Sequence, residues 1–451
     1  MTLSASEEVN FLGENKVSGL PSSIYLRTKS NKNQGTGDSG KVRIEARDIL
    51  FKDGAQITTS TYGRGKSGSI TLHAAESVHF AGENSRGWNT EIFLTSFGKQ
   101  LEEAGQAGSL DITAKNILFE GGAAISGTTF SSGPGGNITL KADESVIFSG
   151  ESTGSVGRKY RSSILLETHY SEDGAGNAGN LRIEARNIAF KNGGMLFGST
   201  WGTGKAGKIM LCAKDTLSFT GEAEGELTEG ESLVPDFYAS GVIATALKKS
   251  TGGNGGDIEI EANQVLLADG ATLTTETGAT GKAGKITLNT SGRLTITGTN
   301  SRNGKNSSIR SSSSDLGDAG EIAISANTIN LIDGGEISTS ATFADGGNIS
   351  VKTPNLLYLR GSAIKTDVAR DQGNGGNITI DKPQFTVLDK SQINANAYGG
   401  NGGNIYITAA QYIRSSDSLV TASSQLGING NIQIEAPETN IEEEMIALPK
   451  S

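Results

Sequence analysis

The sequence predicts an all-β fold: a right-handed, single-stranded parallel β-helix of about 12–14 triangular coils. Three observations predict it. Glycine returns at Gly40, Gly68, Gly108, Gly136, Gly179, Gly207, Gly256, Gly284, Gly320, Gly347, Gly376, Gly403 and Gly430, with intervals of 28, 40, 28, 43, 28, 49, 28, 36, 27, 29, 27 and 27 residues. Each of these glycines opens an alternating strand, such as Gly136-Asn137-Ile138-Thr139-Leu140-Lys141-Ala142. Apolar residues do not recur at helical spacing, and 63 glycines in 451 residues would make helices costly.

One short repeat shows the elements in order. After Gly320, Ile322, Ile324 and Ala326 alternate with polar residues, and this first run reads as a strand. Ile329 and Leu331 mark a second strand, ended by Asp333-Gly334-Gly335. Ile337, Thr339 and Ala341 mark a third, ended by Asp345-Gly346. Side chains alternate in and out, so the apolar set lines the interior. Twelve complete coils follow Gly40, giving a rod about 60 Å long at ~4.8 Å per coil. The preference of parallel crossovers sets the right-handed winding. The opening glycines are expected at corners that need φ > 0. Asn137, Asn180, Asn348, Asn377, Asn404 and Asn431 follow them at equal phase, and an amide ladder is expected along that corner.

The pattern divides the chain. Residues 1–39 read as a partial N-terminal coil. Residues 40–319 alternate short coils with long ones. Residues 320–435 form a regular shaft, and 436–451 an acidic tail. Short coils turn at Asp53-Gly54, Asn192-Gly193 or Asp269-Gly270. Long coils read Phe80-Ala81-Gly82-Glu83, Phe148-Ser149-Gly150-Glu151 or Phe219-Thr220-Gly221-Glu222, followed by an insertion. Insertions at 84–91, 152–162, 223–240 and 299–307 share one phase and should form a row of loops on one side of the rod. They hold most of the non-repetitive chemistry. Trp88, Arg158, Tyr160, Phe237 and Tyr238 are the candidate ligand contacts, because a flat ring on a loop can stack on a sugar or anchor a protein.

Other motifs carry less. The net charge is −10 with basic residues dispersed, which argues against nucleic acid. No stretch approaches the ~18 apolar residues of a membrane-spanning helix. Cys212, alone in the chain, sits at an outward phase, so stacking rather than disulfides must hold the rod. His73, His79 and His169 lack ligand spacing, and Gly252-Gly253-Asn254-Gly255-Gly256-Asp257 resembles a calcium nonapeptide only once. No metal site, cofactor or catalytic residue is expected. Carbohydrate-active β-helix enzymes need clustered carboxylates, and here the acids are spread along outward positions.

The phrases Gly-Asn-Ile-x-Ile-x-Ala, Phe-x-Asp/Asn-Gly-x-x-Ile-x-Thr-x-Thr and Gly-x-Gly-x-x-Gly-x-Ile, with Pro437-Glu438 and Ile446-Ala447-Leu448-Pro449 in the tail, resemble the repeats of filamentous hemagglutinin-like large exoproteins of cyanobacterial type. The resemblance implies a non-enzymatic secreted or surface-exposed adhesin passenger, exported by two-partner secretion through an outer-membrane pore transporter. It implies an extracellular or outer-membrane-associated location and a partner that is a surface glycan or protein. A monomeric rod is expected. Met1 falls inside a coil, and neither a signal peptide nor the family's N-terminal secretion domain is seen, so a fragment is expected. The alternatives are a polysaccharide lyase or hydrolase and a structural matrix or surface-layer component.

Overall fold

The computed structural model describes residues 1–15, 17–28, 37–98, 104–154, 159–169, 174–224, 239–247, 252–370 and 372–436, with the backbone of 438–440. No helix occurs among them. The chain winds as a parallel β-helix with three faces. In the coil that opens at Gly40, strand Lys41–Lys52 bends where its register shifts between Ala46 and Asp48, so its two halves lie on the first and second faces. Strand Gln56–Thr61 makes the third face. The first two faces form one 19-stranded sheet, and the third forms a 13-stranded sheet with one strand per coil. Successive coils pair in parallel throughout, as in Ile138 with Leu181 and Ile183 with Leu211. The stretch before Gly40 already carries a strand on each face: Thr2–Ser4, Glu8–Phe11 and Ser23–Thr28.

Alternation sets the interior. Ile138, Leu140, Ala142, Val146 and Phe148 are buried, whereas Lys141 and Glu144 face solvent. On the second face, Phe11, Phe51, Phe80, Phe119, Phe148, Phe190 and Phe219 stack inside the rod with centroids 4.6–5.0 Å apart. Each such pair adds about 0.5–1.5 kcal/mol beyond its buried area. By contrast, exposed ion pairs such as Lys208–Glu259 are worth about 0–1 kcal/mol each, so the core carries the stability.

Two expectations about the corners need correction. None of the opening glycines has a positive φ. A Cβ at Gly179 would instead overlap the carbonyl of Gly136, and Gly403 meets Gly376 in the same way. From Gly68 onward these glycines exist because the backbones of adjacent coils approach too closely for any side chain, whereas a Cβ at Gly40 would meet only Leu26 Cδ2 at 3.4 Å. Positive φ belongs to the turn between second and third faces, at Asp53-Gly54, Asn192-Gly193, Asp269-Gly270 and Asp333-Gly334. The Asn column also differs in detail. Asn348, Asn377 and Asn404 each accept, through the side-chain oxygen, the backbone N–H of Asn377, Asn404 and Asn431 in the next coil, at 2.8–2.9 Å. A direct amide–amide bond is seen between Asn180 and Asn137, at 3.4 Å.

Candidate functional site

The described parts of the loops stand in one row between the second and third faces, residues 155–158 and 225–238 lying outside the described residues. Antiparallel bridges close them at Glu83–Asn89, Glu151–Arg161, Glu222–Ala239 and Thr299–Asn306. A fifth, closed at Glu14–Pro21, heads the row. Its signal was in the sequence: Phe11-Leu12-Gly13-Glu14 repeats the long-coil phrase Phe80-Ala81-Gly82-Glu83.

A recurring hydroxyl seals the base of each loop. Thr90 donates to the Ala81 carbonyl and accepts the N–H of Gly54 in the preceding short coil. Ser162 does so for Gly122, Ser240 for Gly193, and Ser307 for Gly270. Each loop therefore lies over the turn of a short coil. A Cβ at Gly193 would come 2.5 Å from the Cβ of Ala223, and one at Gly270 would come 2.5 Å from the Cβ of Asn300. The short-coil turn must be bare for the loop to lie on it.

The glutamate of the long-coil phrase links each loop to the next, always two residues past the matching position. Glu14 accepts the N–H of Ser85 at 3.2 Å. Glu83 accepts the Thr153 hydroxyl at 2.5 Å, Glu151 the N–H of Glu224 at 3.2 Å, and Glu222 the Ser301 hydroxyl at 2.6 Å. Lys159 bridges Glu151 and Glu224 at 3.0 and 3.2 Å, and those bonds, Glu151 first, hold its ammonium above the usual pKa. The described residues of the row are thus joined into one hydrogen-bonded crest.

Beside the crest, Trp88 and Tyr160 border one open depression of about 360 Å³. Tyr25 and Phe93, on the outer side of the third face, line it with Gln56 and Asn89. Tyr25 and Phe93 share a register column, separated by Thr58. Tyr25 is 52% exposed and Trp88 41%, and the Arg27 guanidinium lies 4.3 Å from the Tyr25 ring centre. Arg158, Phe237 and Tyr238 lie outside the described residues. Neither Tyr25 nor Phe93 was singled out from the sequence, although both occupy outward phases, where a large ring has no core to fill.

Farther along the third face, Leu165, Met195, Phe197 and Ile243 take outward positions yet are buried, forming a small apolar cluster with Ala124. At the next corner Tyr62, Phe97, Phe130, His169 and Trp201 stack in one half-buried column at 4.8–5.5 Å. His169 Nε2 sits 2.8 Å from the buried Glu167 carboxylate.

The remaining sequence candidates have ordinary partners. Asp257 is partly buried, which disfavours its charge. The Lys205 ammonium at 2.7 Å and the Lys285 N–H at 3.0 Å outweigh that and lower its pKa. His79 pairs with Glu120 at 2.8 Å, and burial raises the pKa of the half-buried Cys212 thiol. Among the described residues no cluster of three or more His, Cys, Asp or Glu is placed to hold a metal, and no helix is long and apolar enough to cross a membrane.

The class this defines is a parallel β-solenoid with a loop crest and an aromatic depression on one side. No protein-family model, curated protein or solved structure matches the chain.

Proposed function

We propose that the chain is the non-enzymatic rod of an extracellular or surface-exposed adhesin, and that it grips a glycan in the aromatic depression. The carrying observation is the convergence of Tyr25, Trp88, Phe93 and Tyr160 from one strand column and two loops. Aromatic faces match the apolar face of a sugar ring, and Gln56 and Asn89 offer amides beside them. Export through an outer-membrane pore and a surface location rest on the family resemblance alone.

One row of carboxylates is too widely spaced for paired-acid chemistry. Glu167, Glu276 and Asp367 share one outward row of the third face, each three coils from the next. That is about 14 Å, beyond the ~5–10 Å that paired acids span in glycoside cleavage. Purified protein should release no reducing or unsaturated ends from pectin or alginate.

The test is a glycan-binding screen on the intact chain and on a Trp88→Ala/Tyr160→Ala double variant. Each anchor should cost about 1–2 kcal/mol, so the pair should lose at least ~30-fold in affinity. The circular dichroism spectrum should not change. Tyr398→Ala, on a similarly exposed ring of the shaft, should bind like the parent. Unchanged binding by the double variant would sink the assignment.

A further inference from the structure

The four rings of the aromatic depression follow a regular step along the rod. On the third face, Tyr25, Thr58, Phe93 and Ser126 share one outward column, one residue per coil. Rings therefore alternate with small hydroxyl residues, and Tyr25 and Phe93 stand two coils apart, about 9.6 Å.

The crest supplies the other two rings with the same step. Trp88 and Tyr160 each precede the residue that closes their loop, Asn89 and Arg161. Their carbonyls accept the N–H groups of Asn84 and Ser152, which are equivalent positions, at 2.9 and 2.7 Å. Each loop lies over the turn of the short coil before it. A Cβ at Gly54 would come 2.9 Å from the Trp88 carbonyl, and one at Gly122 would come 2.6 Å from the Tyr160 carbonyl. Gly54 belongs to the coil of Thr58, and Gly122 to the coil of Ser126. Trp88 thus stands at the level of Thr58, and Tyr160 at the level of Ser126.

The two rows interleave. Tyr25, Trp88, Phe93 and Tyr160 succeed one another at steps of about 4.8 Å, alternately from the strand side and from the crest side. Arg27, two residues farther from the crest, covers one face of Tyr25 at 4.3 Å, which leaves the face turned toward the crest free. The half-buried Gln56 lies in the outward column between the two walls, where its amide can meet sugar hydroxyls.

A β-1,4-linked hexopyranose chain has the matching symmetry. Each unit is turned over relative to the one before it, so successive units present their apolar faces to opposite sides. One such unit is about as long as a coil is thick, ~4.8 Å. An α-1,4-linked chain curls instead and loses the register after a unit or two.

We propose that the depression is a groove for a linear β-1,4-linked hexopyranose chain lying parallel to the rod axis, one sugar per coil, with successive units meeting Tyr25, Trp88, Phe93 and Tyr160 in turn. This rests on the glycan reading above and adds the linkage and the direction of the chain.

Calorimetric titration of the intact protein tests it, with the β-1,4-linked di- and tetrasaccharides of glucose, N-acetylglucosamine and mannose and the α-1,4-linked tetrasaccharide of glucose. At least one β-linked tetrasaccharide should bind at least about tenfold more tightly than the α-linked one and than its own disaccharide, because only the longer chain reaches all four rings. Tyr25→Ala and Tyr160→Ala, at the two ends of the row, should each weaken that tetrasaccharide at least about fivefold with the thermal melt preserved. Tyr160→Phe, which keeps the ring, should bind like the parent. Equal affinity for the α- and β-linked tetrasaccharides, or for tetrasaccharide and disaccharide, would overturn the linkage while leaving the glycan reading in place. Failure of every saccharide to bind would overturn both.

Discussion

From Phe11 to Phe219 the inner column of the second face is phenylalanine in every coil; from Leu267 to Leu388 the same register holds Leu267, Ile296, Leu331, Leu359 and Leu388. The corner above that column differs too. Up to Asn306, past the point where the column changes, every second coil sends out a loop. Beyond Asn306, turns such as Asp333-Gly334 are short, and Ser391 and Ser418 occupy the place of the loop-sealing hydroxyls, accepting the N–H groups of Ser362 and Ser391 at 3.2 and 3.1 Å. The shaft thus shows the bare repeat, and the looped region shows the same repeat with additions that leave its hydrogen bonding intact. The additions demand something only from the coil beneath them, a turn with no side chain.

The largest test of that comparison asks whether the two regions share one core logic. Ile138→Asp in the looped region and Ile380→Asp in the shaft each place an unpaired charge in a site 1% exposed. Each should cost about 4 kcal/mol or more. Limited proteolysis should cut near the altered coil first, because solenoid coils lean only on their neighbours. A uniform global melt with no local cleavage would break the nearest-neighbour picture.

A smaller effect isolates the loops. Gly193 and Gly361 both hold positive φ, but Gly193 lies under Ala223 while the space around Gly361 is open. Alanine at either position strains the backbone by about 1–2 kcal/mol. Gly193→Ala should lose at least ~1 kcal/mol more, measured by urea unfolding. Equal losses would mean that the loop does not rest on the turn.

The smallest effect is a pH dependence common to both regions. Burial raises the pKa of Glu276, against a lowering by Arg310, and raises that of Asp367, against Lys365. The folded protein then keeps these protons to higher pH than the unfolded chain. Stability should fall as pH rises above the ordinary carboxyl values of about 3.9–4.3. Glu276→Gln and Asp367→Asn should each flatten that slope and raise the melting temperature at neutral pH. A steeper slope in either variant would contradict the burial argument.

Much of this was legible in one dimension. The glycine interval located every coil from Gly40 to Gly430, and alternation placed Ile138 and Phe148 inside. Trp88 and Tyr160 were found because insertions stand out from a repeat. Tyr25 and Phe93 were missed because they sit within regular strands, and their meeting depends on which columns stack. The glutamates of the Phe-x-Gly-Glu phrase were visible as a pattern, but Glu83 and Thr153 meet only when a short coil is skipped over. The opening glycines were located and wrongly explained: spacing shows that a side chain is forbidden at Gly179, not whether torsion or a neighbouring carbonyl forbids it.

The glutamate links of the crest also set how such a rod can change in size. A loop sits on the coil before it and its glutamate holds the loop two coils on, so removing a single coil between Phe11 and Thr299 would pair loop with loop or turn with turn. Growth or shrinkage there must come two coils at a time, about 9.6 Å per step, whereas the shaft after Gly320 can lengthen by one coil, about 4.8 Å. The molecule is a ruler with two scales, coarse where it carries loops and fine where it only extends.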